Sequence, residues 1–530
     1  MKEIRVLKNL IAIVVIFCGL SCSSNKKPIK KEVEKPNIIY ILADDMGIGD
    51  VQAYNKEGKI PTPNIDRLAQ EGMMFTDAHT NSSVCTPTRY GILTGRYAWR
   101  TSLKKGVLSG LSPHLINIER ETVATFLKKQ GYATACIGKW HLGMDWKTVE
   151  NPKYNKRGRL NTTSVIPKAP IKYGPNKFGF DYYYGIAGSL NMSPHAFIEN
   201  DFALGEIENL NPEGLQKRHI IDAQSGWVSK DYVQEKVLST FAKKTCKWIE
   251  ENKDEPFFVY FPLPSPHSPI VPSEKFKGKS GLNLHGDFCM ETDWVVGEVL
   301  NTLDKLNLSE NTIVIYTADN GTSSKALFNE MQAKGHYSSL IYRGCKGSLF
   351  EGGHRVPFLV RWPENVKANT KYEQAICTTD LLATFSELFD KELPNNIGED
   401  SKSFLSALKG KSIKGNINRA IVHHSGDGSF AIRKGKWKLV FAEDGGDHRI
   451  NPKDKPIVNS SSKMLFNMQK DAIESINVSS QYPKVVEELT KELAEIIKNG
   501  RSTFGANQPT NLKDSKLKWP QIKIFQKYLN

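Results

Sequence analysis

Asn37-Ile38-Ile39-Tyr40-Ile41-Leu42-Ala43, with Asp44-Asp45 directly after it, is the stretch from which the architecture is read. Aliphatic and β-branched side chains run through it without polar alternation, which is how a strand buried on both faces of a parallel sheet reads. Such sheets gather functional groups at the carboxyl ends of their strands, and this strand ends in two carboxylates. Thr312-Ile313-Val314-Ile315-Tyr316-Thr317 is a second strand of the kind, ending at Asp319-Asn320-Gly321. A third, Pro256-Phe257-Phe258-Val259-Tyr260-Phe261, runs into a proline-rich turn that holds His267.

Working outward, helical periodicity spans Thr122 to Lys129 and Phe288 to Leu306, where Val295, Val296, Val299, Leu300 and Leu303 recur on one face. Strands alternating with helices predict an α/β sandwich around a central, largely parallel or mixed sheet, covering residues 36–412. From about residue 413 the texture changes to short β-like runs, 420–424, 429–433 and 437–441, separated by glycine-rich turns. With a helical stretch from Pro483 to Asn499, these predict a smaller C-terminal α+β domain, residues 413–530, built on an antiparallel sheet.

The amino terminus reads as an export signal. Lys2, Arg5 and Lys8 precede the apolar run Leu10 to Phe17, too short to cross a bilayer comfortably. Gly19-Leu20-Ser21-Cys22 resembles a degenerate bacterial lipoprotein cleavage site, with Cys22 as the lipidated first residue of the mature chain. Residues 1–21 are therefore expected to be a signal peptide and residues 22–35 a polar tether. The expected location is the periplasm or the outer membrane as a lipoprotein, the alternative being secretion.

With 530 residues, 39% of them hydrophobic and 10% aromatic, the chain can bury a large core, which excludes a mainly disordered protein. A net charge of +15 suits an anionic partner, but no nucleic-acid-reading motif accompanies it and that partner is set aside. The cysteines beyond the signal, Cys85, Cys136, Cys246, Cys289, Cys345 and Cys377, have neither zinc-type nor disulfide-framework spacing.

Asp44, Asp45, Asp319 and Asn320 offer four hard oxygen ligands at two strand ends, a set that suits a divalent cation such as Ca²⁺. A single Asp-Asp pair after a strand would otherwise be a helix cap or a solvated turn.

Cys85 lies in Cys85-Thr86-Pro87-Thr88-Arg89, and Leu93-Thr94-Gly95-Arg96 follows. This pattern resembles the signature of formylglycine-dependent sulfatases of the arylsulfatase type, in which a maturation enzyme oxidises the cysteine to formylglycine. Gly138-Lys139-Trp140-His141-Leu142-Gly143 resembles the second signature of that family. Gly179 to Gly185, His267, Thr317 to Gly321, Lys346 to Gly353 and Leu465-Phe466-Asn467-Met468 with Asp471 and Glu474 match further landmarks in order, over roughly Pro36 to Leu512.

The resemblance implies an alkaline-phosphatase-like fold and a sulfuric ester hydrolase. It implies that Asp44, Asp45, Asp319, Asn320 and the modified Cys85 hold one Ca²⁺, and that Arg89 orients the formylglycine hydrate. Lys139 and Lys346 would face sulfate oxygens. One hydroxyl of the hydrate would attack sulfur, His267 or Lys346 would protonate the leaving alcohol, and His141 would take the proton that releases sulfate. Between the two donors His267 is preferred, because imidazole titrates near neutral pH.

His336, His195 and His354 lie on segments expected near the active face, each either a sugar contact or a structural residue. The phrase Glu351-Gly352-Gly353-His354-Arg355-Val356-Pro357 resembles bacterial polysaccharide sulfatases, including relatives of N-acetylgalactosamine-6-sulfatases, which implies a sulfated glycan substrate. A phosphate or phosphonate monoester hydrolase of the same fold, or an inactive surface protein binding sulfated glycans, are the alternatives.

Overall fold

The computed structural model describes residues 35–155, 158–223, 225–415, 418–447, 449, 451–508 and 519–529. The expected signal peptide and Cys22, and all of the tether but Lys35, lie outside them.

In chain order the first strands are β1 (Asn37–Asp44), β2 (Met73–Phe75), β3 (Ala78–His79), β4 (Ala133–Lys139), β5 (Tyr182–Ile186) and β6 (Ile198–Glu199). Then come β7 (Phe202–Ala203), β8 (Ile207–Leu210), β9 (Gly226–Ser229), β10 (Phe257–Pro266), β11 (Thr312–Ala318) and β12 (Phe358–Arg361). The last are β13 (Thr370–Tyr372), β14 (Ile376–Cys377), β15 (Ala420–His424), β16 (Phe430–Lys434), β17 (Trp437–Val440) and β18 (Met464–Asn467). Ten of them form one sheet in the order β13-β2-β12-β11-β1-β10-β4-β5-β6-β7. Its centre, β11-β1-β10-β4-β5, is parallel, while β12 runs antiparallel to β11 and the β5-β6-β7 edge is antiparallel. The sheet is therefore mixed, as expected.

The side chains of β1 explain why it sits in the middle. Ile38, Tyr40 and Leu42 enter one core and Ile39, Ile41 and Ala43 the other, so neither face meets water. Each large aliphatic buried in this way contributes about 1.5–3 kcal/mol. The helices Val237–Glu251 and Leu284–Lys305 cover one face, and Cys85–Thr94, Val123–Lys129 and Leu381–Leu388 cover the other.

Two boundaries differ from the sequence expectation. β10 continues through Pro262, Pro264 and Pro266 where the prolines were expected to end it. Its pairing with β4 stops at Tyr260↔Cys136 while its pairing with β1 reaches Pro266, so one side has no ladder bonds for proline to lose. The long helix starts at Leu284 because Asn283 caps it, accepting from the backbone of His285 and Gly286.

The C-terminal segment forms the four-stranded sheet β15-β16-β17-β18, antiparallel throughout, with helix Pro483–Asn499 against it. Residues from Pro36 onward make one compact unit. Tyr97 and Trp99 share a core with Val422, Phe430, Leu439 and Leu493, so this sheet is built onto the main body.

Candidate active site

Four neighbouring parallel strands deliver the predicted residues to one edge. Asp44 ends β1, Lys139 ends β4, His267 follows β10, and Asp319 follows β11. Asp45 and His141 turn the chain in the left-handed region, with φ of 66° and 55°, which short polar residues and histidine tolerate better than most. At Gly138 the approach to β10 is so close that a Cβ would fall 2.0 Å from the Pro262 carbonyl oxygen.

Cys85 opens the helix Cys85–Thr94, every residue of which is buried. Pro87 is tolerated because the first turn has no intrahelical acceptors for its missing N–H. Arg89 lies one turn further on, on the same face as Cys85. The loop feeding the helix is tied down by the C-terminal sheet, since Ser82 Oγ (2.8 Å) and Ser83 N (3.0 Å) both donate to the His424 carbonyl. Gly95 ends the helix in the left-handed conformation, its N–H donating to Gly91.

Around Cys85 the charges interlock. Lys346 Nζ is 3.6 Å from Cys85 Sγ and 2.6 Å from Asp45 Oδ1. Lys139 Nζ donates to Asp44 Oδ2. Arg89 donates from Nε (3.0 Å) and Nη2 (2.8 Å) to Asp319 Oδ2, and from Nη1 (2.8 Å) to the Lys139 carbonyl. Asn320 Nδ2 donates to Asp45 Oδ1 at 2.7 Å, and His267 Nε2 stands 3.8 Å from Asp45 Oδ2. Behind Lys346, Gly347 has φ of 97°, and a Cβ there would meet the Arg449 guanidinium at 2.1 Å.

Burial disfavours every charge here, and the net direction depends on the neighbours. Lys139, His267, Arg89 and Lys346 overcome burial at Asp44 and hold its carboxyl well below the usual range. Asp45 is also lowered, chiefly by Lys346. Asp319 is pushed up, first by burial and then by Asp44, because three carboxylates crowd one small volume. His141 is held well below its ordinary pKa by burial, then by Lys139 and Arg89, so its ring is neutral at neutral pH. Its Nε2 faces the Leu108 carbonyl at 2.9 Å, and its Nδ1 is buried without a partner. That leaves the lone pair on Nδ1.

Of the expected ligand oxygens, Asp44 Oδ1, Asp45 Oδ2 and Asn320 Oδ1 are buried without a hydrogen bond. Leaving such atoms unsatisfied costs about 1–3 kcal/mol each, more for a charged group. Ligand atoms of Asp44, Asp45, Cys85 and His267 lie within 4.8 Å of one another. An oxygen-rich, anionic, undersatisfied set fits a hard divalent cation.

The three histidines proposed as sugar contacts are placed differently. His336 is fully buried, Nε2 on Asp50 Oδ1 (2.9 Å) and Nδ1 accepting from Lys59 N (3.1 Å). His354 is fully buried, Nδ1 on His79 Nδ1 (3.1 Å) and Nε2 on the Leu349 carbonyl (3.0 Å). Both rings are fully buried and present no surface to a sugar, so both expectations are corrected: these are interior residues. His195 is buried against Tyr232, its ring 6.0 Å away and its backbone bonded to Trp227 and Ser229, which is also an interior position. Sequence reading missed the Leu108 carbonyl that fixes His141, and Thr86, whose hydroxyl donates to the His141 carbonyl at 3.1 Å. A backbone carbonyl leaves no residue-type signal. Beside His267, Ser268 and Pro269 wall a cavity of about 650 Å³ that also meets Asn283, His285, Lys325 and Leu327.

Residues 36–391 match the family described as Sulfatase, and residues 417–522 match the C-terminal region of aryl-sulfatase. The chain is 34% identical to an N-acetylgalactosamine-6-O-sulfatase of Bacteroides thetaiotaomicron, over 94% of this chain and all of the relative. A solved structure from the metabolism of multiple glycosaminoglycans by Bacteroides thetaiotaomicron superposes with a TM-score of 0.75 at 32% identity, covering 87% of this chain and 99% of that one. The phosphonate monoester hydrolase of Agrobacterium radiobacter shares the fold, with a TM-score of 0.53 at 18% identity over 87% of this chain and 95% of its own.

Proposed function

This chain belongs to the sulfatase family and is a sulfuric ester hydrolase, and we propose that it removes sulfate from a sulfated carbohydrate using formylglycine made from Cys85 and a bound divalent cation. The observation that carries this reading is the set of partnerless oxygens on Asp44, Asp45 and Asn320 in the side-chain cluster that includes Cys85. Asp44, Asp45, Asp319 and Asn320 would hold the cation, Ca²⁺ by their oxygen donors, and it would neutralise one sulfate oxygen. The matured Cys85 would supply the attacking hydroxyl as an aldehyde hydrate.

The remaining roles follow from charge. Asp44, Asp45 and Asp319 are matched by Arg89, Lys139 and Lys346, so a divalent ion leaves the site cationic and suited to an anionic ester. Arg89, anchored on Asp319 one turn below residue 85, would orient the hydrate. Lys139 and Lys346 would hold sulfate oxygens, Lys346 being 3.6 Å from Cys85 Sγ. His267, beside Asp45, would donate the proton that the leaving alcohol needs. His141, neutral and with its lone pair on Nδ1, would accept the proton that lets sulfate depart.

The glycan assignment is supported by the likeness to the N-acetylgalactosamine-6-O-sulfatase, and the cavity beyond His267 gives a sugar chain room. Residues 1–24 support export, with lipid attachment at Cys22. The test is hydrolysis of matched aryl sulfate and aryl phosphate esters, followed by a desulfation screen over defined sulfated oligosaccharides. We expect sulfate to be strongly preferred and a 6-O-sulfated amino sugar among the substrates. A preference for phosphate would replace this reading with that of a phosphate or phosphonate monoester hydrolase.

A further inference from the structure

Outside the candidate active site, His79, His354 and His423 converge, one ring nitrogen of each lying within 4.8 Å of the others. His79 ends β3, His354 ends the short helix Glu351–His354, and His423 lies on β15. All three are fully buried. The rings of His354 and His423 stack at 3.7 Å, and His79 is tilted against both at 5.2 and 5.4 Å.

A neutral imidazole has one N–H and one lone pair, so the outer partners decide what each ring turns inward. His423 Nδ1 faces the Thr80 carbonyl at 3.0 Å, which puts its proton there and leaves Nε2 bare; that atom is buried with no partner. His79 Nε2 lies 2.8 Å from both Asp77 Oδ1 and Arg433 Nη1; with its proton turned to Asp77, Nδ1 is bare. His354 Nε2 faces the Leu349 carbonyl at 3.0 Å, which leaves its Nδ1 bare, 3.1 Å from that of His79. Two bare Nδ1 atoms 3.1 Å apart repel unless something positive lies between them. A carbonyl or carboxylate behind each ring is also how metal-bound histidines are oriented.

Lys438 Nζ, 3.0 Å from His354 Nε2, offers a metal-free arrangement: it donates to Nε2 and His354 Nδ1–H donates to His79. That arrangement satisfies two rings and still leaves His423 Nε2 orphaned. Burial lowers the pKa of all three histidines, so they are neutral and able to ligate at neutral pH. Asp77 and Arg433, which flank the outer edge of His79, line a surface cavity of about 280 Å³.

We propose that His79, His354 and His423 form a second cation site, for a nitrogen-preferring divalent transition ion of the Zn²⁺ class. Tetrahedral zinc spaces neighbouring nitrogens about 3.3 Å apart, close to the span that His79 and His354 already hold. The ion clasps β15 to the main body. Because His424 on the same strand accepts from Ser82 and Ser83, it also stiffens the loop that presents Cys85.

The full chain is stripped with a chelator, loaded with Zn²⁺ alone, gel-filtered and assayed for bound metal, in a D45N/D319N background that removes the oxygen site. One zinc per chain is expected there, with a rise in Tm, and His423→Ala is expected to lose both. Little or no zinc in D45N/D319N, or an unchanged ratio after H423A, overturns the proposal. Should H423A not fold, X-ray absorption on zinc-loaded D45N/D319N decides: three imidazole nitrogens support the site, and an oxygen-only shell refutes it.

Discussion

Arg89 grips a single oxygen of Asp319 with two nitrogens, Nη2 at 2.8 Å and Nε at 3.0 Å, which leaves Oδ1 to accept from Asp45 N at 3.2 Å. The helix that begins with Cys85 is thereby fixed to the end of β11. Removing one partner of such a buried pair costs about 3–5 kcal/mol because the other charge is stranded. Arg89→Gln is therefore expected to lose that much stability in urea denaturation, together with its activity. Arg89→Lys, which keeps the charge but not the fork, should fall between. Wild-type stability in both variants would show that the grip is dispensable.

The partnerless oxygens of Asp44, Asp45 and Asn320 predict a Tm that responds to calcium. An ion that binds only the folded state stabilises it by about 2.7 kcal/mol at a hundredfold excess over Kd. Stripping with a chelator should lower Tm and abolish turnover, and restoring Ca²⁺ should recover both. Asp45→Asn should show neither response. Calorimetry with and without added Ca²⁺ checks this, and a Tm indifferent to the ion would count against the oxygen site.

His141 has a neutral ring with a buried, unpartnered Nδ1 beside Lys139 and Thr86. As a proton acceptor it is worth about 10²–10⁴ in rate. His141→Ala should reduce kcat by that factor while leaving KM within a few-fold. A large rise in KM with kcat intact would make His141 a binding residue.

Asp293 supplies a pH-dependent term remote from the chemistry. It accepts from the backbone N–H of Asn64 and Ile65 and from Asn64 Nδ2, yet burial raises its pKa to about 7. Its unfolded value is near 3.9. The folded state therefore holds the extra proton between those values, so this term is full below about pH 4 and is lost as pH rises through about 7. Asp293→Asn should remove up to about 4 kcal/mol of that slope. Denaturation of both proteins at pH 5 and pH 8 measures it; parallel curves would mean that Asp293 is ionised throughout.

Much of this arrangement was legible in the chain. β1, β10 and β11 announce themselves because strands buried on both faces must be apolar throughout, and their ends carry Asp44, His267 and Asp319. β18 and the antiparallel β12 were not anticipated, since four-residue runs have no period that separates strand from loop. His336 and His354 misled for a different reason. Sequence shows residue type but not which side of a loop faces inward, and both rings are claimed by interior partners far along the chain, Asp50 and His79.

The central claim is that Cys85 is a precursor and that its encoded thiol does not attack substrate. Mass spectrometry of the tryptic peptide covering residues 68–89, from protein made with a formylglycine-generating enzyme, tests this most directly. The account predicts that the peptide carries an aldehyde at position 85 in the active preparation, and that its fraction tracks specific activity. A fully active preparation in which that peptide holds only unmodified cysteine would contradict it.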